Sequence, residues 1–111
     1  MPASRAEAAM VGAIRVLALA PDNVWVSHQA QSDLMAHGLT VGDVCAAIVG
    51  WIDAGFRVKP TTIKNIPARI GQAAYEMKPR LNDMVFYVKV VVEDADTESP
   101  RLSLLSAHPD H

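Results

Sequence analysis

Met84-Val85-Phe86-Tyr87-Val88-Lys89-Val90-Val91-Val92 is the stretch on which the fold turns. β-Branched valines dominate it, and they pack well on a pleated surface while losing rotamer freedom in a helix. At nine residues, with Lys89 inside it, the run is too short to cross a bilayer as a helix. Read as a strand, it divides by alternation: Phe86, Val88, Val90 and Val92 share one face, predicted as core. Val85, Tyr87, Lys89 and Val91 share the other. Tyr87 and Lys89 are then neighbours, roughly 6–7 Å apart along the strand. A phenol beside an ammonium suits an anionic ligand, one group giving or taking a proton and the other holding charge. The plainer reading is a solvated strand face carrying a tyrosine for its β-propensity.

Outward from this strand, Glu93 to Pro100 is an acidic turn and Leu102 to Ser106 a closing strand, with His108 just after it. His111, the terminal residue, is expected to be disordered. Upstream, Lys78 to Asp83 reads as a turn and Ile70 to Met77 as a strand. Tyr75 and Met77 lie on its more apolar side; Gln72, Ala74, Glu76 and Lys78 share the other, from which Gln72 and Lys78 could project beside Tyr87 if the register allows. Phe56 to Lys59 is short and extended, and Pro60 to Pro67 is a polar loop carrying Lys64.

Before Gly55 the pattern is helical. Ser4 and Glu7 form a capping box ahead of an Ala-rich run that stops at Pro21, with Met10, Ile14 and Leu17 on one stripe. Val24 to Ser27 is a short strand, and His28 to His37 a short helix closed by Gly38. Thr40 with Asp43 opens a third helix, Val41 to about Ala54, whose stripe includes Val44, Cys45 and Ile48. Helices first and strands last is the α+β pattern. The expectation is a single domain over residues 1–111: a helical half at about 4–55 and a sheet-forming half at about 56–108. The sheet is expected to be an antiparallel meander of three or four strands with the helices packed on one face.

The chain has 111 residues, half of them apolar and a fifth charged, which excludes a disordered ground state. One cysteine excludes an internal disulfide, and no Cys/His spacing suits zinc, so no metal and no cofactor are expected. Cys45 reads as a small core residue, and His28 and His37 as helix-end histidines. No basic-then-apolar leader opens the chain, so a cytoplasmic location without membrane association is expected. There is no phosphate-binding glycine loop, nucleophile elbow or paired-cysteine motif. The net charge of −2 hides a strong segregation. Residues 1–56 carry −3 and residues 90–111 carry −4, whereas residues 57–89 carry +5 through Arg57, Lys59, Lys64, Arg69, Lys78, Arg80 and Lys89. A solvated face explains such a block as well as a ligand does. No helix carries the basic residues a DNA groove requires.

Several segments together resemble the motility quorum-sensing regulator (MqsR) toxin family of bacterial type II toxin–antitoxin systems. His37-Gly38-Leu39 through Val44-Cys45-Ala46-Ala47-Ile48-Val49-Gly50-Trp51 is similar to the family's Gly-Leu and Cys-x-x-Ile-Ile-Gly-Leu helix. Phe56 with Lys59-Pro60-Thr61-Thr62 is similar to its Phe, Lys and Thr-Thr segment. Met77-Lys78-Pro79-Arg80-Leu81 and Tyr87-Val88-Lys89 resemble its Tyr-Arg-Pro-Arg-Leu and Tyr-Leu-Lys, and Leu104-Leu105-Ser106 aligns with its closing strand. The match runs over about residues 8 to 108.

The resemblance implies a small RelE-like fold that cuts messenger RNA without the ribosome or a metal and is silenced by a cognate antitoxin. The family tyrosine carries over onto Tyr87, and the lysine before Thr-Thr onto Lys59 with a one-residue slip. Ala74 stands where the family has a glutamine, with Gln72 two residues earlier, and His108 replaces the last family lysine. Metal-free cleavage needs a base for the ribose 2′-hydroxyl, a cation for the phosphorane and an acid for the leaving oxygen. Lys59, Tyr87 and His108 are the candidate catalytic residues; Lys64, Gln72, Lys78, Arg80 and Lys89 are candidates for gripping single-stranded mRNA. The two replacements also suit a degenerate relative that binds a protein partner without cutting.

Overall fold

A computed structural model describes residues 5–110. Three helices precede most of a six-stranded mixed sheet, an α+β architecture. Helix α1 spans Arg5–Ala18, α2 His28–Ala36 and α3 Val41–Asp53. The strands are β1 (Trp25–Val26), β2 (Lys59–Thr62), β3 (Ala73–Met77), β4 (Arg80–Leu81), β5 (Met84–Glu93) and β6 (Arg101–Pro109). Their order is β1-β6-β5-β3-β2, with β4 hairpinned onto β5. Ser4 of the expected capping box and His111 lie outside the described residues.

The helix signals behave as their chemistry dictates. Thr40 accepts from the Asp43 amide while the Asp43 carboxylate accepts from the Thr40 amide, a complete capping box that satisfies two orphan donors at the head of α3. Ser27 caps α2 by accepting from the Ala30 amide. Gly38 and Gly55 follow the helix ends at φ of +66° and +84°, the left-handed conformation a side chain disfavours.

The sheet departs from the expected meander in three ways. First, it has six strands and is mixed: β1 runs parallel to β6, Trp25 opposite Ser103 and Val26 opposite Leu104. That pairing joins residues nearly eighty positions apart, so no local pattern announces it. Second, the start of the polar loop at Pro60–Pro67 is strand: β2 lies at the sheet edge, where a proline without an amide hydrogen is tolerated. Third, β6 runs on to Pro109, so His108 lies within the strand instead of after it.

That last difference has a cause in the backbone. Lys89 faces Ser106, but Val90 faces Leu104, so Leu105 is an extra residue in a β-bulge. The bulge resets the alternation of β6. Leu102, Leu104 and Ala107 enter the main core, while Ser106 and His108 fall on the side that Lys89 and Tyr87 occupy.

The main core joins Ile14 and Ala18 of α1, Ala30 and Leu34 of α2, and Val44, Cys45 and Ile48 of α3 to Met77, Phe86, Val88, Val90, Leu102, Leu104 and Ala107 of the sheet. Phe86 is fully buried; at about 25 cal/mol per Å2, removing such a ring from water contributes about 2–3 kcal/mol. A second, smaller cluster of Ile63, Ala74, Val91 and Leu105 forms on the other side of the sheet. The chain following β2 folds over it, held by the Ile63 amide donating to the Gln72 carbonyl and the Gly71 amide donating to the Ile63 carbonyl. Among the described residues no single helix is long and apolar enough to cross a membrane.

Candidate functional site

Strand register assembles a polar cluster beside this smaller core. Lys59 of β2 faces Glu76 of β3, which faces Lys89 of β5, which faces Ser106 of β6. Neighbouring strands lie about 4.8 Å apart, so these four residues form one row across the sheet. The adjacent row holds Tyr87 opposite His108. Continuing the β3 alternation from Glu76 brings Lys78 to the same face. Lys59, Lys78, Tyr87, Lys89 and His108, all singled out from sequence, therefore share one surface. Ala74, in the position where the resemblance expects glutamine, is fully buried in the small core.

Tyr87 is the hub. Its hydroxyl donates a hydrogen bond to Glu76 Oε2. Its ring stacks on the His108 imidazole, centroids 5.4 Å apart and planes inclined by 25°. Lys89 Nζ lies 5.6 Å from the ring centroid, within reach of a cation–π attraction. Burial first, then the hydrogen bond to Glu76 and the negative charge of Glu76 and Asp110, push the phenol above its ordinary value. Tyr87 consequently remains protonated at neutral pH and acts as a hydrogen-bond donor, not as a base. This narrows the sequence reading, which left both directions of proton movement open.

His108 Nδ1 lies 3.0 Å from the Pro109 carbonyl oxygen. A carbonyl can only accept, so Nδ1 carries the hydrogen and Nε2 is the nitrogen left for exchange with a ligand. Lys78 pairs with Asp110 at 3.4 Å, across a partly exposed contact.

Of the remaining sequence candidates, Arg80 lies one row further along this face, and Lys64 and Gln72 fall elsewhere. Arg80 is exposed on β4 opposite Val85, near the end of the Tyr87 row. Lys64 is exposed in the loop beyond the far end of β2 from Lys59. Gln72 lies beyond the small core, where its Oε1 accepts from Arg69 Nη1 at 2.9 Å.

Glu76 is the residue that sequence reading passed over. Alternation places it on the correct face with Gln72 and Lys78, but an acid inside a basic block carries no signal of a role until its strand neighbours are known. Cys45 is buried in the main core, and burial pushes its thiol up to about 11, the state of an inert packing residue. Among the described residues no three His, Cys, Asp or Glu side chains converge to hold a metal ion. Comparison with protein-family models, with curated proteins and with solved structures finds no match for this chain.

Proposed function

We propose that this chain is a metal-independent endoribonuclease acting on single-stranded mRNA, the toxin of a type II toxin–antitoxin pair related to the MqsR family. The observation that carries the reading is the convergence of Lys59, Glu76, Tyr87, Lys89 and His108 on one sheet face. In the same reading the frame is RelE-like, with the helices packed on one side of the sheet. The contribution of all three helices to a single apolar cluster with Phe86 and Val88 supports that.

In this mechanism the Glu76 carboxylate takes the proton of a ribose 2′-hydroxyl, and the 2′-oxygen attacks the neighbouring phosphorus. Lys59 and Lys89 oppose the charge that develops on the phosphorane oxygens. The P–O5′ bond breaks as His108, entering the step as an imidazolium with both ring nitrogens protonated, delivers its Nε2 proton to the leaving oxygen, giving a 2′,3′-cyclic phosphate and a 5′-hydroxyl. Tyr87 orients Glu76 through its hydroxyl and packs the imidazole through its ring. Acidic residues 90–111 leave the cationic row as the surface for an acidic antitoxin to mask.

A non-cutting interaction module is the competing reading, favoured by the engagement of the Tyr87 hydroxyl with Glu76. Induced expression separates the two. The ribonuclease arrests growth and shortens bulk mRNA, and Glu76→Gln relieves both at equal soluble level. Normal growth with intact RNA at confirmed expression of the parent chain overturns the enzyme reading.

A further inference from the structure

A cavity of about 460 Å3 opens next to β1, its border including Asp22, Trp25, Arg69, Glu93, Arg101 and Ser103. Its size lies within the roughly 300–1,000 Å3 of small-ligand clefts. The wall is built with care for polar partners. Arg69 Nη1 donates to Glu93 Oε1 at 2.7 Å and to Gln72 Oε1 at 2.9 Å. Fully buried Ser103 donates to Glu93 Oε2 at 2.7 Å. The Arg69 guanidinium lies over one face of the Trp25 ring, 5.7 Å from its centroid, and leaves the other face for a ligand. Trp25 nonetheless remains 53% exposed, an unusual placement for the largest apolar side chain in a two-residue strand. Arg101, largely exposed and 3.5 Å from Asp94 Oδ2, stands at the rim, where a phosphate would compete with that surface carboxylate.

We propose that this cavity is a nucleobase subsite: a base stacks on the face of Trp25 that Arg69 leaves open, the Arg69–Glu93 pair fixes the indole from behind, and Arg101 holds the attached phosphate. Stacking on an aromatic ring accepts any base, and a guanidinium contacts phosphate by charge-assisted hydrogen bonds. The inference rests on the ribonuclease reading for its ligand, a nucleotide of the strand that is cut. Register sets the separation. Trp25 faces Ser103, which faces Val91, four residues along β5 from Tyr87. Four residues along and two strands across is roughly 16 Å, a span of a few nucleotides on the same side of the sheet. Val91 and Leu105 of the small core lie between the two ends.

The probe is a 2′-O-methyl hexanucleotide of mixed sequence, which lacks the attacking hydroxyl and so reports binding without cleavage. In the Trp51→Phe variant Trp25 is the sole indole, and binding is expected to quench its fluorescence. Trp25→Ala is expected to weaken binding of the labelled oligonucleotide, read by anisotropy, by roughly 5- to 100-fold, the scale of one lost base stack. Arg101→Ala should weaken it and reduce its salt dependence. Binding that leaves the Trp25 emission and the Trp25→Ala affinity unchanged overturns the subsite while leaving the ribonuclease reading intact. Absence of any binding by folded protein also overturns it, and cleavage of a ribose oligonucleotide then decides the ribonuclease reading separately.

Discussion

The Tyr87 ring lies against the His108 imidazole, 5.4 Å between centroids and 25° between planes, on adjacent strands in direct register. The contact couples two groups that differ in what they can do. The phenol is held protonated by burial and by Glu76, while the imidazole keeps Nε2 available. A protonated phenol and an imidazole with one open nitrogen thus lie side by side, next to the row in which Glu76 stands between Lys59 and Lys89.

Tyr87→Phe keeps the stack and removes only the hydroxyl. Cleavage is expected to fall by about 10²-fold, because Glu76 loses the group that orients it. Thermal stability should move little, since the ring and the strand survive. The variant also reports on the titration. Because the folded phenol is raised, its contribution to stability is present below its ordinary value of 10.0 and is lost as pH rises through the higher folded value. Tyr87→Phe should therefore lose less stability than the parent in strongly alkaline solution, as read by denaturant melts at increasing pH.

The sheet's central strand was legible because β-branched residues fill it and its polar pair, Tyr87 and Lys89, falls on one parity, opposite Phe86, Val88 and Val90. The α3 cap was legible because Thr40 and Asp43 act locally. His108 was not. Its place on the Tyr87 face depends on one extra residue, Leu105, and a bulge cannot be seen in the pattern Leu102, Leu104, Ser106, His108. Strand β2 hid behind Pro60, which reads as a breaker until the sheet edge is known. Glu76 has no partner in the linear sequence; only register sets Lys59 and Lys89 on either side of it.

Glu93 offers a test on stability alone. Arg69, then Ser103, hold its carboxyl below the ordinary carboxylate value. Its contribution is present above the unfolded value, near 4.5, and is lost as pH falls through the lower folded one. Glu93→Gln should cost on the order of 1–2 kcal/mol at neutral pH, the scale of hydrogen bonds to a charged group, and the cost should shrink in acid. Urea melts of the two proteins at pH 7 and below pH 4 read this directly.

In the toxin reading proposed above, an antitoxin would mask the basic face that carries Lys59 and Arg80. Charge reversal at Lys59 and Arg80 should weaken the complex, and rising salt should weaken the parent complex more than the doubly reversed one. Affinities measured across a salt series give both slopes; equal slopes would assign the interface to another surface.

The central claim is that residues of this sheet face cut RNA by proton transfer through His108. The decisive measurement is the rate and end chemistry of cleavage of a single-stranded RNA, with chelator present, by the parent protein and by folded His108→Ala and His108→Lys. The account predicts 2′,3′-cyclic phosphate and 5′-hydroxyl ends from the parent, a loss of about 10²-fold in His108→Ala, and partial recovery with a flatter pH profile in His108→Lys. RNA cut by His108→Ala at the parent's rate and with the parent's pH profile would contradict it.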